Sequence, residues 1–393
     1  MQIEKENYTT VNNILHNYTP KYSTLNAMSI AMANALGRRI DRGVNIYIDL
    51  YRMILSLFHR DKGTVKYNNS NDITACVINY CANIRSFYKK IYKLDSTIYL
   101  IYNDYMYHKG MDLFQKKFFP EYNKDSEDRM RSNKEMMDLV KYNISILSDL
   151  VKYIPKMYII KRPVESMIII YDLIKENNKL NPYIPNIIFT TCPISIQLPA
   201  LLDNTVIFRL YKIRTIDDSG AISFNDYFTV MSKENAIASY ISAISTKNEI
   251  RENIAAMCSF INSELLSFII TLIGVPKKEK NIPRLLGTKK VISSLYDTVK
   301  NNPALNCYVY NISDLYGEMK LFKSDKSCNN IDIDYLRARF NAIDLVTGYN
   351  IYLNSLPYHN DNSYIIDLND GATLKEINES EFHNNPLSLD LLF

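Results

Sequence analysis

The sequence predicts a parallel-sheet α/β fold, and three stretches carry that expectation. Gly43 to Phe58, GVNIYIDLYRMILSLF, is an apolar strand that ends in a carboxylate and runs into an apolar helix. Thr97 to Tyr102, TIYLIY, is a second apolar run of strand length. Between Ile159 and Leu198 the chain reads strand, helix, loop, strand: Met167 to Lys175 places apolar residues at helical spacing, Pro182 and Pro185 interrupt it, and Asn186 to Thr191 is a short β-prone run. Strands separated by helices of this length are joined by crossovers, which leaves them parallel and buried.

Taken in order, residues 1–40 are polar and then small and apolar, an N-terminal helical segment that stops near Gly37. Residues 41–215 hold the strands above and form the α/β domain, with helical periodicity over 73–92 and a further strand at Thr205 to Tyr211. Asp49 closes the first strand and either caps the following helix or faces a site at the strand end. Asn103 and Asp104 follow the second. Between His108 and Leu139 the bases Lys116, Lys117, Lys124, Arg129 and Arg131 interleave with Phe118, Phe119 and Tyr122, a pairing suited to phosphate attraction and base stacking. Acids among them, such as Glu121 and Asp128, equally suit a solvated mixed-charge helix.

Residues 216–330 read as a polar loop and then helices, and contain a basic cluster, Lys277, Lys278, Arg284, Lys289 and Lys290, that is either a phosphate contact or a solvated face. Residues 331–393 form an acidic segment with Asn and Gly turns and little helical period. The chain closes on an apolar peptide, NPLSLDLLF.

The 393 residues suffice for a large core, and 47% hydrophobic with 22% charged residues is a globular composition. No apolar run is long enough to span a bilayer and MQIEKENYTT lacks a signal-peptide core, so a soluble intracellular protein is expected. Six cysteines without a CxxC pair read as reduced core thiols. The whole chain carries +4, yet residues 330–393 hold three bases against ten acids, leaving a basic body that allows nucleic-acid binding. Five histidines show no ligand spacing, and with ten glycines there is no GxGxxG, P-loop or GxSxG.

The central stretch resembles the 5'-nuclease family: flap endonucleases, the phage RNase H type and the wider PIN-like fold. In that family a helix opens with Glu-Ala-Asp-Asp or Glu-Ala-Asn-Asp, and a later strand ends in Ser-Asp-x-Asp-hydrophobic-x-Gln-Leu. Here Glu165, Thr190, Thr191, Gln197 and Leu198 match, while Met167, Ile168, Cys192 and Ile194 stand where four metal-binding carboxylates are expected. Asp49 matches the aspartate that ends the first strand, and Asn103 takes the place of the aspartate after the second, with Asp104 one residue late and hence on the other face of an extended chain. Gly274, Asn281, Ile282, Pro283, Gly287 and Lys289 match in order the family's duplex-binding helix-turn-helix, without its aspartates.

The resemblance implies a catalytically degenerate 5'-nuclease that binds flap, forked or single-stranded DNA, with Asp49, Asp104 and Glu165 as vestigial acids. No cofactor is expected beyond one weakly held Mg²⁺. Leu389, Asp390, Leu392 and Phe393 are similar to terminal peptides that grip a sliding clamp in replication and transcription assemblies. The Asn-, Ile-, Lys- and Tyr-rich composition suggests a viral or otherwise low-GC source, with the host cytoplasm or the virion as the expected place. Two alternatives stay open: an active Mg²⁺-dependent nuclease with an atypical site, and a scaffold that binds only protein.

Overall fold

A computed structural model describes residues 43–58, 70–92, 95–103, 115–122, 134–162, 164–216, 222–232, 263–275, 282–287 and 331–355, together with 124, 128, 290, 291, 293, 294, 297 and 301. Six strands form one sheet in the order β3-β2-β1-β4-β5-β6. They are β1 (Val44–Asp49), β2 (Ser96–Asn103), β3 (Met157–Arg162), β4 (Asn186–Phe189), β5 (Thr205–Ile216) and β6 (Ile222–Met231). The first five run parallel and β6 returns antiparallel. This is the parallel-sheet α/β class that the sequence predicts.

Every residue of β1 and β4 is buried, as expected of central strands covered on both faces. Between them runs α1 (Leu50–Phe58), α2 (Ser70–Tyr92), a short α3 (Gln115–Phe118), α4 (Lys134–Leu150) and α5 (Ser166–Leu180). The chain steps from β1 to β2 to β3 in one direction and then crosses back to β4, so right-handed crossovers put α5 on the face opposite α2 and α4. On the α2 side a buried bond from the Thr74 hydroxyl to Asn143 Oδ1 (2.8 Å) locks α2 to α4. On the α5 side Tyr47 stacks on Tyr99 with ring centroids 5.0 Å apart, and the Tyr47 hydroxyl donates to Asn186 Oδ1 at 3.1 Å.

Two expectations are corrected. Residues 222–231, expected in a polar loop, form β6, which pairs with β5 along its whole length from Ile216↔Ile222 to Ile207↔Met231. The signal was lost because this ribbon outruns β4, which pairs only with 205–208, and so lacks the continuous apolar run of a central strand. The acidic segment after 331 also contains two helices, α8 (Ile333–Ile343) and α9 (Leu345–Ser355). Its acids are partly caps: Asp332 accepts from the Asp334 amide at 3.0 Å and Asp344 from the Thr347 amide at 2.8 Å. Two further short elements, α6 (Gln197–Leu201) and α7 (Ser263–Ile273), pack beneath them.

Burial lifts the Cys81 thiol, in α2, up to about 12. A thiol raised in the folded state keeps its proton where the unfolded chain, near 8.5, has lost it, so its contribution is complete below about pH 8.5 and declines above it. Between pH 8.5 and 10 the wild type is therefore expected to lose up to about 2 kcal/mol more unfolding free energy than Cys81→Ala. Denaturant titrations at the two pH values read this directly, and parallel pH slopes for the two proteins would refute it.

Candidate functional site at the carboxyl edge of the sheet

In an open parallel sheet, ligands collect beyond the carboxyl ends of the strands where the strand order reverses, because crossovers on opposite faces leave a crevice there. Here the reversal lies between β1 and β4. Asp49 ends β1 at that point, and Thr190 follows β4 beside it. The Thr190 hydroxyl donates to Asp49 Oδ2 at 3.0 Å, while Thr190 Oγ1 accepts from the Cys192 amide, also at 3.0 Å. Asp49 Oδ1 takes the Arg52 amide at 3.5 Å, and Arg52 Nε stands 3.7 Å from Oδ2. Asp49 thus receives an amide from the first turn of α1 and stands, buried, at the carboxyl end of β1 where the strand order reverses.

Glu165 lies along the same edge, immediately before α5, and is buried. Its side chain does not cap the helix. Glu165 Oε2 instead accepts from the Tyr122 hydroxyl at 2.7 Å and from Gln115 Nε2 at 3.2 Å. The basic-aromatic segment therefore folds back onto the acid, a contact no local sequence signal announces because it joins residues 43 and 50 positions apart. Asn103, at the end of β2, is buried, and among the described residues neither its Oδ1 nor Gln115 Oε1 has a hydrogen-bond partner.

The four positions that the resemblance marks for carboxylates are sealed. Met167 and Ile194 are 0% exposed, Ile168 1% and Cys192 2%. Met167 and Ile168 lie in the first turn of α5, while Cys192 and Ile194 belong to the tight 3₁₀ turn after β4. Among the described residues no three of His, Cys, Asp and Glu gather closely enough to hold a metal ion. Asp172, further along α5, pairs instead with Arg162 at the end of β3. Burial, and then the Asp172 charge, pushes the Tyr349 phenol well above its ordinary range.

Gln197 has a structural task. Gln197 is fully buried; Oε1 accepts from the Leu345 amide at 3.1 Å and lies 2.9 Å from the Ser267 hydroxyl, and Nε2 donates to the Ile343 carbonyl at 3.0 Å. One side chain thus joins α6, α7 and the α8–α9 junction.

Of the predicted nucleic-acid contacts, Lys116 and Lys117 lie in α3, Lys124 is exposed, and Arg284 and Lys290 are exposed around the turn after α7. Asp104, Arg129, Arg131, Lys277, Lys278 and Lys289 lie outside the described residues, as do Leu389, Asp390, Leu392, Phe393 and the segment 1–40. Gly274, which the motif matching singled out, has a physical reason to be glycine. Its φ is +81°, and a Cβ there would lie 2.5 Å from the Ile282 carbonyl oxygen and 2.7 Å from that of Pro283.

No protein-family model matches the chain, and no curated protein matches it. Similar solved structures include the T5 D15 protein co-crystallised with metal ions, at 13% identity and TM-score 0.45, covering 78% of this chain and 90% of that one. A second is T5 5'-exonuclease with bound zinc, at 13% identity and TM-score 0.42, covering 80% and 89%. Among the described residues no helix is long and apolar enough to cross a membrane.

Proposed function

We propose that this chain is a 5'-nuclease-like protein that has given up cutting and binds branched or single-stranded DNA. One observation carries the reading: at the sheet's carboxyl edge, where hydrolysis needs acids converging on two Mg²⁺ about 4 Å apart, the required positions are buried apolar side chains. Among the described residues the two family-matched acids are already engaged, Asp49 by Thr190 and Arg52 and Glu165 by Tyr122 and Gln115. Such a donor set does not fit a two-ion centre. Exposed Lys124, Arg284 and Lys290 support attraction to phosphates.

A second reading is favoured by the two unpartnered buried oxygens, Asn103 Oδ1 and Gln115 Oε1. With Glu165 they are hard oxygen donors of the kind one Mg²⁺ takes, and such an ion would polarise a phosphoryl oxygen. Glu165, and Asp49 as the other family-matched acid at this edge, would then be the acids whose loss matters most.

The two readings separate on end-labelled 5'-flap DNA, incubated with and without Mg²⁺ or Mn²⁺ and run on matched native and denaturing gels. A shifted, uncut band is the expected result. Metal-dependent cutting that disappears in a folded Asp49→Asn would overturn it in favour of the one-ion enzyme. Neither shift nor cutting would leave the fold as a protein-binding scaffold.

A further inference from the structure

Arg339, in α8, is a buried cation for which the described residues supply no carboxylate. It is 1% exposed. Its guanidinium is held mainly by main chain: Nη2 donates to the Thr271 carbonyl at 2.8 Å and to the Pro283 carbonyl at 2.6 Å, Nε reaches Thr271 O at 3.3 Å, and Nη1 donates only a long bond, 3.5 Å, to the Tyr335 hydroxyl. The rings of Phe119 and Tyr335 each lie 5.6 Å from its central carbon. A charge taken from water without a counter-ion is costly, and a well-packed apolar side chain usually serves stability as well or better. A guanidinium at this place needs a reason other than stability.

The reason lies in what the two carbonyls belong to. A helix leaves its last carbonyls without intrahelical partners. At the end of α7, Ile270 O takes the Gly274 amide at 2.7 Å, and Leu272 O takes the amides of Leu285 and Leu286 at 3.0 and 3.1 Å. Thr271 O is left for Arg339, at the negative end of the helix dipole. Val275 and Ile282 then bridge to close a hairpin, and Pro283 O, on the returning side, meets the same guanidinium. A planar fork with fixed donor directions can clamp two chain segments in one register, whereas an ammonium point charge cannot. The next residue is Arg284, exposed to solvent.

We propose that Arg339 is the positioning residue of this hairpin, an internal cation that holds Thr271 O and Pro283 O together and thereby aims the neighbouring Arg284 at a DNA phosphate backbone. The assignment rests on the DNA-binding reading above. It also ties the hairpin to the carboxyl edge of the sheet, since Phe119, against the guanidinium, lies between Gln115 and Tyr122, the two partners of Glu165.

The test uses the full chain as wild type, Arg339→Ala and Arg339→Lys, with circular dichroism to establish folding and fluorescence anisotropy on a labelled 5'-flap DNA at fixed salt. Arg339→Ala is expected to bind about tenfold more weakly, the loss of roughly one charge-assisted contact. Arg339→Lys should fall between. Millimolar guanidinium should restore binding in Arg339→Ala alone, whereas potassium chloride of equal ionic strength should not. The unfolding midpoint is read in the same solutions, because guanidinium refilling the cavity would also rescue a purely structural residue: binding restored at an unchanged midpoint supports the assignment, and binding that only tracks the midpoint overturns it.

If Arg339→Ala does not fold, Arg339→Lys decides, and wild-type affinity there would overturn the assignment. Unchanged binding in a folded Arg339→Ala, or a defect that guanidinium does not relieve, overturns it while leaving the DNA reading intact. Absence of DNA binding by the wild type sinks the DNA reading, and the assignment with it.

Discussion

Gln197→Leu is expected to lower the unfolding free energy by about 2–5 kcal/mol, although the two side chains are close in size. The amide is fully buried and serves three segments at once. Leucine would strand the Leu345 amide and the Ile343 carbonyl away from water, each at roughly 1–3 kcal/mol. Ser267 would suffer less, because its hydroxyl also lies 2.7 Å from Asp344 Oδ1. Since the loss falls on the junction between α8 and α9, amide exchange at Leu345 should accelerate before exchange in the central strands. A destabilisation under about 1 kcal/mol, or uniform acceleration of exchange, would show that Gln197 is not what couples the C-terminal helices to the sheet.

The second large effect is expected at Ile194. Replacing it by Asp places a carboxyl at one of the positions where the resemblance calls for a metal ligand, in a turn where Ile194 is 0% exposed and Cys192 and Ile196 are buried beside it. The substitution removes about 2–3 kcal/mol of apolar burial and adds a charge with no designed partner. Desolvation favours the neutral carboxyl, so its value would rise in the folded state. Stability would therefore come closest to wild type below about pH 4, where the unfolded chain is also protonated, and fall away as pH rises toward the folded value.

At neutral pH a total loss of about 4 kcal/mol or more is expected for Ile194→Asp, enough to unfold much of a marginal protein. Urea titrations at pH 4 and pH 7 check both magnitude and sign. A fully stable Ile194→Asp whose stability rises further with Mg²⁺ would mean that the edge still has room for an ion, and would argue for the one-ion enzyme.

Asp49 was legible because it terminates an apolar run and opens another, a local pattern that fixes a strand end whatever surrounds it. Glu165 was legible only through the family resemblance. Its partners were not, since Gln115 and Tyr122 reach it only after the chain has made a crossover. The same limit hid α8 and α9. Their aspartates read as excess charge in sequence, whereas in space Asp332 and Asp344 satisfy amides at helix starts. Arg339 read as one of three bases in an acidic tail, and nothing near it in sequence showed that its partners would be carbonyls 56 and 68 residues away.

The sequence by itself determined the parallel α/β class, the strand ends on which Asp49 and Asn103 stand, and the apolar identity of Met167, Ile168, Cys192 and Ile194. These depend on side-chain periodicity and local backbone preference, which act over a few residues. Tertiary structure decided which face and edge those residues share, that Gln197 binds helices α8 and α9, and that the buried Arg339 guanidinium gathers the end of α7 and its hairpin. Such contacts arise between residues far apart in the chain, where the need to satisfy every buried polar group selects partners that no local pattern encodes.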